Sequence, residues 1–209
     1  MEHVHSTGFR NKIPYGRAPR KFPTFRPWLT ALAIVWVLVA SPCLRAQSAK
    51  PTDYDVKAAY LYNFGHFVEW PTNVMAAKND SFTVCVLGQD PFGPVLDTAL
   101  AGETIGGKKV SAKRISNPQE LGTCQIVFLS SADGVQLNKI IEALNKQAVL
   151  TVSDMPQFSQ RGGMIQFVLE GKRVRFEVNL TAAQQAGLTL SSDLLKVAAT
   201  VRRNPSSGD

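Results

Sequence analysis

The fold is decided by a short apolar stretch, FTVCVL at residues 82–87, which has the length and composition of a buried strand. Two stretches of the same kind follow, CQIVFL at 124–129 and AVLTV at 148–152. Helical patterns separate them, near Phe92–Leu100 and Leu137–Lys146. Short apolar strands that alternate with helices are typical of a mostly parallel sheet with helices on both faces.

The other predicted elements complete this α/β domain. They are helices over Asp53–Val68, Thr181–Ala186 and Ser191–Val201, and strands over Lys109–Ile115, Met164–Leu169 and Lys172–Asn179. Thr52 or Asp53 can cap the first helix. Glu170-Gly171 is placed as the turn of an antiparallel hairpin. The expected fold is therefore a three-layer sandwich, in which a mostly parallel sheet carries an antiparallel edge hairpin and helices on both faces.

The beginning of the sequence has the order of a secretory signal peptide. A basic stretch ends at Arg26, and an apolar core of 13 residues, WLTALAIVWVLVA, runs from Trp28 to Ala40 before Ser41-Pro42 breaks it. A membrane-spanning helix needs about 20 apolar residues, so this core is too short to be one. An uncleaved anchor is the alternative, and it would place the domain in the same compartment.

We expect cleavage of the signal peptide, residues 1–46, after Ala46. A single domain at 47–201 then lies in the periplasm without inserting into the membrane, and a polar tail at 202–209 is expected to be disordered. Lipid attachment at Cys43 is a weaker alternative, because Pro42 stands where a small residue is expected.

The net charge of +7 comes mostly from the same N-terminal segment. Of 23 Lys and Arg residues, seven lie in the first 45 together with a single acid, Glu2. The rest of the chain has 16 basic and 15 acidic residues. A near-neutral domain cannot neutralise many phosphates at once, so nucleic acid is excluded as a partner.

Two cysteines, Cys85 and Cys124, remain after the predicted cleavage site. Buried cysteines on neighbouring elements usually pair in an oxidising compartment. A disulfide is therefore expected, and a pair of inert buried thiols is the alternative.

The sequence offers little for catalysis. The mature chain has one histidine, His66, which lies inside the aromatic first helix, so a histidine metal cluster is excluded. Gly102–Lys108 resembles the start of a phosphate-binding loop, but Lys109 stands where Ser or Thr should hold magnesium. We expect a surface loop there, and a protein that is not an enzyme and uses neither cofactor nor metal.

Three polar residues could line a small-ligand site. Asp90, Ser130 and Asp154 follow predicted strands, and open α/β sheets bind ligands at the carboxyl ends of their strands. Helix caps and turns explain the same residue types, so the ligand-binding interpretation is the weaker one.

Several blocks of the sequence resemble a known family. They are VKAAYLYNFGHFVEWP (56–71), CVLG (85–88) with DPF (90–92), VLTVSDMPQFSQRGGMIQFV (149–168) and RVRFEVNLTAAQQAGLTLSSDLLKVA (173–198). Together they are similar to the YfiR-like family of exported proteins, over nearly the whole mature domain.

The resemblance implies a function. Such proteins sit in the periplasm, and the best-understood type represses an inner-membrane diguanylate cyclase by binding its periplasmic sensory domain. Release of the cyclase raises cyclic-di-GMP and favours attached growth in a biofilm. The resemblance also implies that Cys85 and Cys124 pair and that the protein can form a homodimer. A second cysteine pair found in some relatives is missing, since residues 150–165 contain no cysteine.

A regulator that acts by contact needs an apolar surface. The first helix region has more aromatic residues than one buried face can use, and aromatic residues are enriched in interface hot spots. We expect Tyr60, Phe64, Phe67 and Trp70 to be divided between the core and a partner-binding patch. The alternative is that all four belong to the core. An alternative function is a periplasmic small-ligand-binding module that reports to a membrane protein.

Overall fold

The structure is a computed structural model, and it describes residues 50–76, 81–131, 134–144 and 147–203. The predicted signal peptide at 1–46 and residues 204–209 of the predicted tail lie outside the described residues. The described part of the domain contains one large sheet, one small sheet and helices on both faces of the large sheet.

Helix α1, Asp53–Phe67, begins at a capping box: the Thr52 hydroxyl accepts from the Asp55 backbone N–H, and the Asp55 carboxylate accepts from the Thr52 backbone N–H. This reciprocal pair satisfies two backbone donors at the helix start. The helix ends one residue before the predicted Val68, because Val68 is extended and opens strand β1.

Ten strands are described. They are β1 Val68–Glu69, β2 Ser81–Leu87, β3 Thr104–Ile105, β4 Lys108–Ile115, β5 Ile126–Leu129, β6 Leu150–Ser153, β7 Ile165–Glu170, β8 Arg173–Asn179, β9 Thr189–Leu190 and β10 Thr200–Arg202. The large sheet has the order β10-β8-β7-β6-β5-β2-β4-β3, and β1 pairs with β9 in the small sheet. Neighbours from β4 to β7 are parallel, whereas β7–β8 and β3–β4 are antiparallel.

The helices cover the large sheet on both faces. After α1 they are α2 Thr72–Ala76, α3 Pro94–Leu100, a 3-10 helix at Pro118–Thr123, α4 Gly134–Leu144, α5 Leu180–Gln185 and α6 Ser192–Val197. One core cluster contains buried residues of α1, α3, α5 and α6, and the other contains those of α4 and the 3-10 helix. Alternate residues of β2 belong to different clusters, as expected for a strand buried on both sides. The predicted three-layer sandwich is confirmed.

Three sequence predictions differ from the structure at the edges of the sheet. The hairpin β7–β8 is antiparallel as expected, but β10 pairs with β8 in parallel and forms the edge. The predicted closing helix over Ser191–Val201 ends at Val197, and β10 then takes in Arg202, a residue assigned to the disordered tail. The loop at Gly102–Lys108 contains β3, which folds back on β4 and buries Ile105.

The predicted disulfide is present. Cys85 lies in the middle of β2 and Cys124 follows the 3-10 helix, with Cα atoms 5.9 Å apart. Both residues are buried, at 0% and 2% exposure, in the cluster beneath α4. The bond therefore fixes the end of the 3-10 helix to strand β2.

Candidate functional site

Phe64 lies at the centre of the aromatic cluster formed by α1. It is fully buried, and its ring centroid lies 5.9 Å from that of Phe167 and 5.1 Å from that of Phe176, both on the hairpin strands. Because it exposes no surface, Phe64 lies on the core side of the predicted division and is left out of the partner-binding patch.

The other three aromatic residues keep some surface. Tyr60 is half-buried against Phe176, with ring centroids 5.4 Å apart. Trp70 donates from Nε1 to the Gly65 carbonyl at 3.1 Å and is also half-buried. Phe67 is 40% exposed, the most of the four. Partner contact is thus open to Phe67 foremost, and to Tyr60 and Trp70 through the surface that each of them keeps.

Asp154 is the centre of a second cluster, at the carboxyl end of β6. Its Oδ2 accepts from Lys57 Nζ at 2.6 Å and from the Tyr54 hydroxyl at 3.0 Å. Lys57 Nζ also lies 4.2 Å from the centroid of the Tyr54 ring. These contacts fasten the start of α1 to the end of the parallel sheet.

Burial raises the pKa of Tyr54, and the charge of Asp154 raises it further. The phenol therefore stays protonated well into the alkaline range and can keep donating to Asp154. The arrangement suits an ordered hydrogen bond rather than proton transfer near neutral pH.

Asp90 belongs to a third cluster, after β2. Its Oδ1 accepts from the Phe92 backbone N–H at 2.8 Å, and its Oδ2 accepts from Arg114 Nε at 2.8 Å. Arg114 also donates to Asp97 Oδ1 at 2.7 Å and to the Gly93 carbonyl at 2.7 Å. The hydrogen bond to Asp97 is the largest cause that raises the pKa of Arg114, and the same bond lowers the pKa of Asp97.

The three predicted ligand-binding residues lie after neighbouring parallel strands. Asp90 follows β2, Ser130 follows β5 and Asp154 follows β6. The Ser130 backbone N–H donates to the Leu87 carbonyl at 3.1 Å. Both carboxylates are engaged by side chains of the domain itself, so this edge is built first of all to hold α1, α3 and β4 together.

Sequence reasoning missed the partners of these carboxylates: Lys57, Tyr54 and Arg114. A signal for Lys57 was present. It shares one helix stripe with Leu61, Phe64 and Val68, and a lysine among apolar residues on such a stripe indicates a buried charge with a partner.

His66 is exposed on α1 and makes an edge contact with Tyr62, with ring centroids 4.8 Å apart. Across residues 50–203 apart from the undescribed gaps, no group of three or more His, Cys, Asp or Glu side chains is placed to hold a metal ion. Within the same described ranges, no helix has both the length and the apolar character needed to cross a bilayer.

Comparison with known families agrees with this architecture. A family described as YfiR/HmsC-like matches residues 54–199, from the Tyr54 that contacts Asp154 to the residue before β10. The chain belongs to the YfiR-like family. At the level of this family the protein is a periplasmic regulator, and the disulfide agrees with that compartment.

Solved structures show more distant likenesses to this YfiR-like chain. One is the ABC domain in complex with L-Trp from Streptococcus pneumonia, with a TM-score of 0.44 and 11% identity over 69% of this chain. Another is a conserved domain protein from Vibrio cholerae, with a TM-score of 0.42 and 12% identity over 63% of this chain. The chain spans 60% and 57% of their lengths. No ligand or function is carried over from likenesses this distant.

Proposed function

We propose that this protein binds the periplasmic sensory domain of an inner-membrane diguanylate cyclase and represses it, which lowers cyclic-di-GMP. The observation that carries the proposal is the YfiR-like match over residues 54–199, which takes in nearly the whole described domain. Loss of the repressor from the cyclase then raises cyclic-di-GMP and promotes biofilm growth.

The geometry supports a protein that acts by contact. Most polar side chains at the carboxyl edge of the sheet are held by internal hydrogen bonds, while Phe67 presents apolar surface at the end of α1. An exposed aromatic side chain on a rigid helix is well suited to anchor a partner, because little entropy is lost when it becomes buried. We assign Phe67, Tyr60 and Trp70 to the partner-binding patch, with Phe67 as its most exposed member. Self-association into a homodimer is part of the same proposal.

The test replaces Phe67 and follows both binding and signalling. Deletion of the protein should raise cellular cyclic-di-GMP, and Phe67→Asp should raise it towards the deletion level. Val135→Asp is the matched control, because Val135 is 68% exposed on α4, on the other face of the sheet. Crosslinking followed by mass spectrometry of intact membranes should recover a cyclase with the wild type and Val135→Asp proteins, and less with Phe67→Asp.

Thermal melting of the variants separates folding from binding, since 60% of Phe67 is buried and a charge there can also lower stability. Unchanged cyclic-di-GMP on deletion, with no cyclase recovered from the wild type, would contradict the proposal.

A second candidate is a small-ligand-binding module that reports to a membrane protein. It is favoured by the position of Asp90, Ser130 and Asp154 at the carboxyl ends of neighbouring parallel strands. A ligand that binds only the folded state raises the melting temperature, so a metabolite panel that gives no thermal shift would count against this function.

A further inference from the structure

A groove of about 770 Å³ lies between the start of α1 and the β7–β8 hairpin. It is separate from the carboxyl edge of the sheet, and neither the three polar residues predicted there nor Phe67 lines it. Its apolar side chains include Val56, Tyr60 and Leu169, and Leu169 is 59% exposed. A large apolar side chain this exposed at the mouth of a groove marks a surface that is stabilised by being covered.

The charge of the groove is strongly one-sided. Its lining includes four cations and a single acid: Lys50, Lys172, Arg173, Arg175 and Asp53. The domain as a whole is close to neutral, so the cations are concentrated here. Arg175 donates to the Val197 carbonyl at 3.3 Å, and none of the four cations forms an ion pair among the described residues. An occupant with negative charge is therefore favoured.

The groove also runs beside an open part of the sheet. Strand β10 pairs with β8 at Glu177–Asn179, and the Ala199 backbone N–H donates to the Phe176 carbonyl at 2.8 Å, so the open part of this edge within the described chain is Arg173–Arg175. An exposed strand edge can accept an extended peptide, whose main chain completes the hydrogen-bond ladder.

The side chains on the two faces of β8 indicate which residue types such a peptide would carry on each of its own faces. Val174 is buried on the α1 side, and Leu169 is its cross-strand partner on the same face. Arg173 and Arg175 alternate with Val174 and point to the other face. A segment lying along β8 would then place apolar side chains towards Val56 and Tyr60, and acidic side chains towards the two arginines.

We propose that this groove binds an extended segment of a protein partner in which acidic and apolar residues alternate, and that the segment adds to the free edge of β8. The inference rests on the proposed function, because it takes the periplasmic domain of the regulated membrane protein as the source of the segment.

The test uses a defined probe, so that it does not depend on the cyclase. A fluorescent peptide that alternates glutamate with leucine or valine is titrated into the purified exported protein. A peptide with lysine for glutamate, the acidic peptide N-methylated at alternate amides, and vesicles of an anionic phospholipid are titrated alongside. Only the first should bind, and added salt should weaken it. N-methylation blocks strand addition while leaving the side chains unchanged.

Variants locate the site. Leu169→Asp and Lys172→Glu/Arg173→Glu should each weaken binding of the acidic peptide about tenfold, because they change exposed groove residues that contact it. Val135→Asp and Lys109→Glu/Lys139→Glu are the matched controls, which change exposed residues outside the groove and should bind as the wild type does. Melting temperatures check that all four variants fold.

A photo-crosslinker at residue 169 then tests the natural partner in cells, with one at residue 135 as the control. A crosslink from 169 to an acidic segment of a cyclase supports both proposals. If peptide binding requires the groove but no cyclase is captured from any position, the groove proposal is supported and the proposal of a cyclase partner is contradicted. Equal peptide binding by the groove variants and the wild type, no binding of the acidic peptide, binding of vesicles alone, or cyclase capture from 135 and not from 169 would each overturn the groove proposal.

Discussion

Lys57 occupies a position on α1 where packing would favour an apolar side chain. It lies on the same stripe as Leu61 and Phe64, and it is only 7% exposed. A lysine charge is rarely stable in such a place unless a partner neutralises it. Asp154 provides that partner from a position 97 residues away in the sequence.

Asp154→Ala should therefore lower the free energy of unfolding by about 3 kcal/mol, because it leaves the Lys57 charge buried without a partner. Asp154 itself is 23% exposed at its side chain, which places the loss at the lower end of the range for buried pairs. Urea denaturation followed by circular dichroism measures the change.

The control is Lys57→Met/Asp154→Ala, in which no charge remains to be buried. This double variant should recover most of the stability lost in Asp154→Ala. A double variant no more stable than the single one would show that the carboxylate acts through Tyr54 or the backbone, and not through the lysine.

The positions of the two residues of this ion pair can be predicted from the sequence, but their pairing cannot. The helical spacing of residues 57, 61 and 64 marks Lys57 as buried, and Asp154 is placed correctly at the end of a strand. The pairing is not encoded locally, because it depends on how α1 crosses the sheet. The partners of Arg114 are not encoded locally either, because Asp90 follows β2 and Asp97 lies on α3.

At the scale of elements, the strands β2, β5 and β6 are predictable because each is a short, mostly apolar run whose side chains are mostly buried. How the aromatic residues of α1 divide between the core and the surface cannot be predicted from the sequence. Phe64 is buried because Phe167 and Phe176 cover it, and both come from a hairpin about a hundred residues later in the chain.

Strand β10 is the element that sequence analysis misses. It has three residues, and Val197 and Ala198 before it continue the helical pattern of α6. Its placement depends on tertiary contacts: Arg202 Nη2 donates to Glu177 Oε2 at 3.1 Å, and the Ser159 hydroxyl donates to the same oxygen at 2.9 Å. The Arg202 contact fastens the last described strand to β8, and the Ser159 contact holds the Glu177 carboxylate in place.

Arg202→Ala should lower the free energy of unfolding by about 1 kcal/mol, since it removes a charge-assisted hydrogen bond between partly exposed groups. Amide hydrogen exchange of β10 should become faster, while that of β2 should change only through the overall loss of stability. Arg203→Ala is the matched control, because Arg203 is the neighbouring exposed arginine. Equal effects of the two substitutions would mean that the contact with Glu177 does not fasten the strand.

At the scale of the whole molecule, the disulfide joins positions 39 residues apart and closes a loop that contains α3, β3, β4 and the 3-10 helix. A crosslink stabilises a protein mainly by restricting its unfolded chain. Cysteine count and the expected compartment were enough to predict this bond, because only one pairing is possible among the residues that follow the predicted signal peptide.

Removal of the bond should cost about 3 to 4 kcal/mol for a loop of this length. The urea midpoint of the wild type should fall when unfolding is measured in dithiothreitol, and the midpoint of Cys85→Ala/Cys124→Ala should not respond to dithiothreitol. The reduced wild type has no crosslink but keeps both sulfur atoms. The difference in unfolding free energy between it and the double variant therefore measures the packing of the sulfur atoms alone. A wild-type midpoint that ignores the reductant would contradict the prediction, as would two free thiols found by mass mapping.

The burial of Cys85 and Cys124 also sets an order of events for a newly exported chain. Once α4 and the 3-10 helix have packed over the sheet, neither sulfur atom is within reach of an oxidising enzyme. The thiols must therefore be oxidised while that face of the sheet is still open. The rate at which α4 packs then limits the time available for disulfide formation. If α4 packs before the thiols are oxidised, Cys85 and Cys124 remain as two buried free thiols.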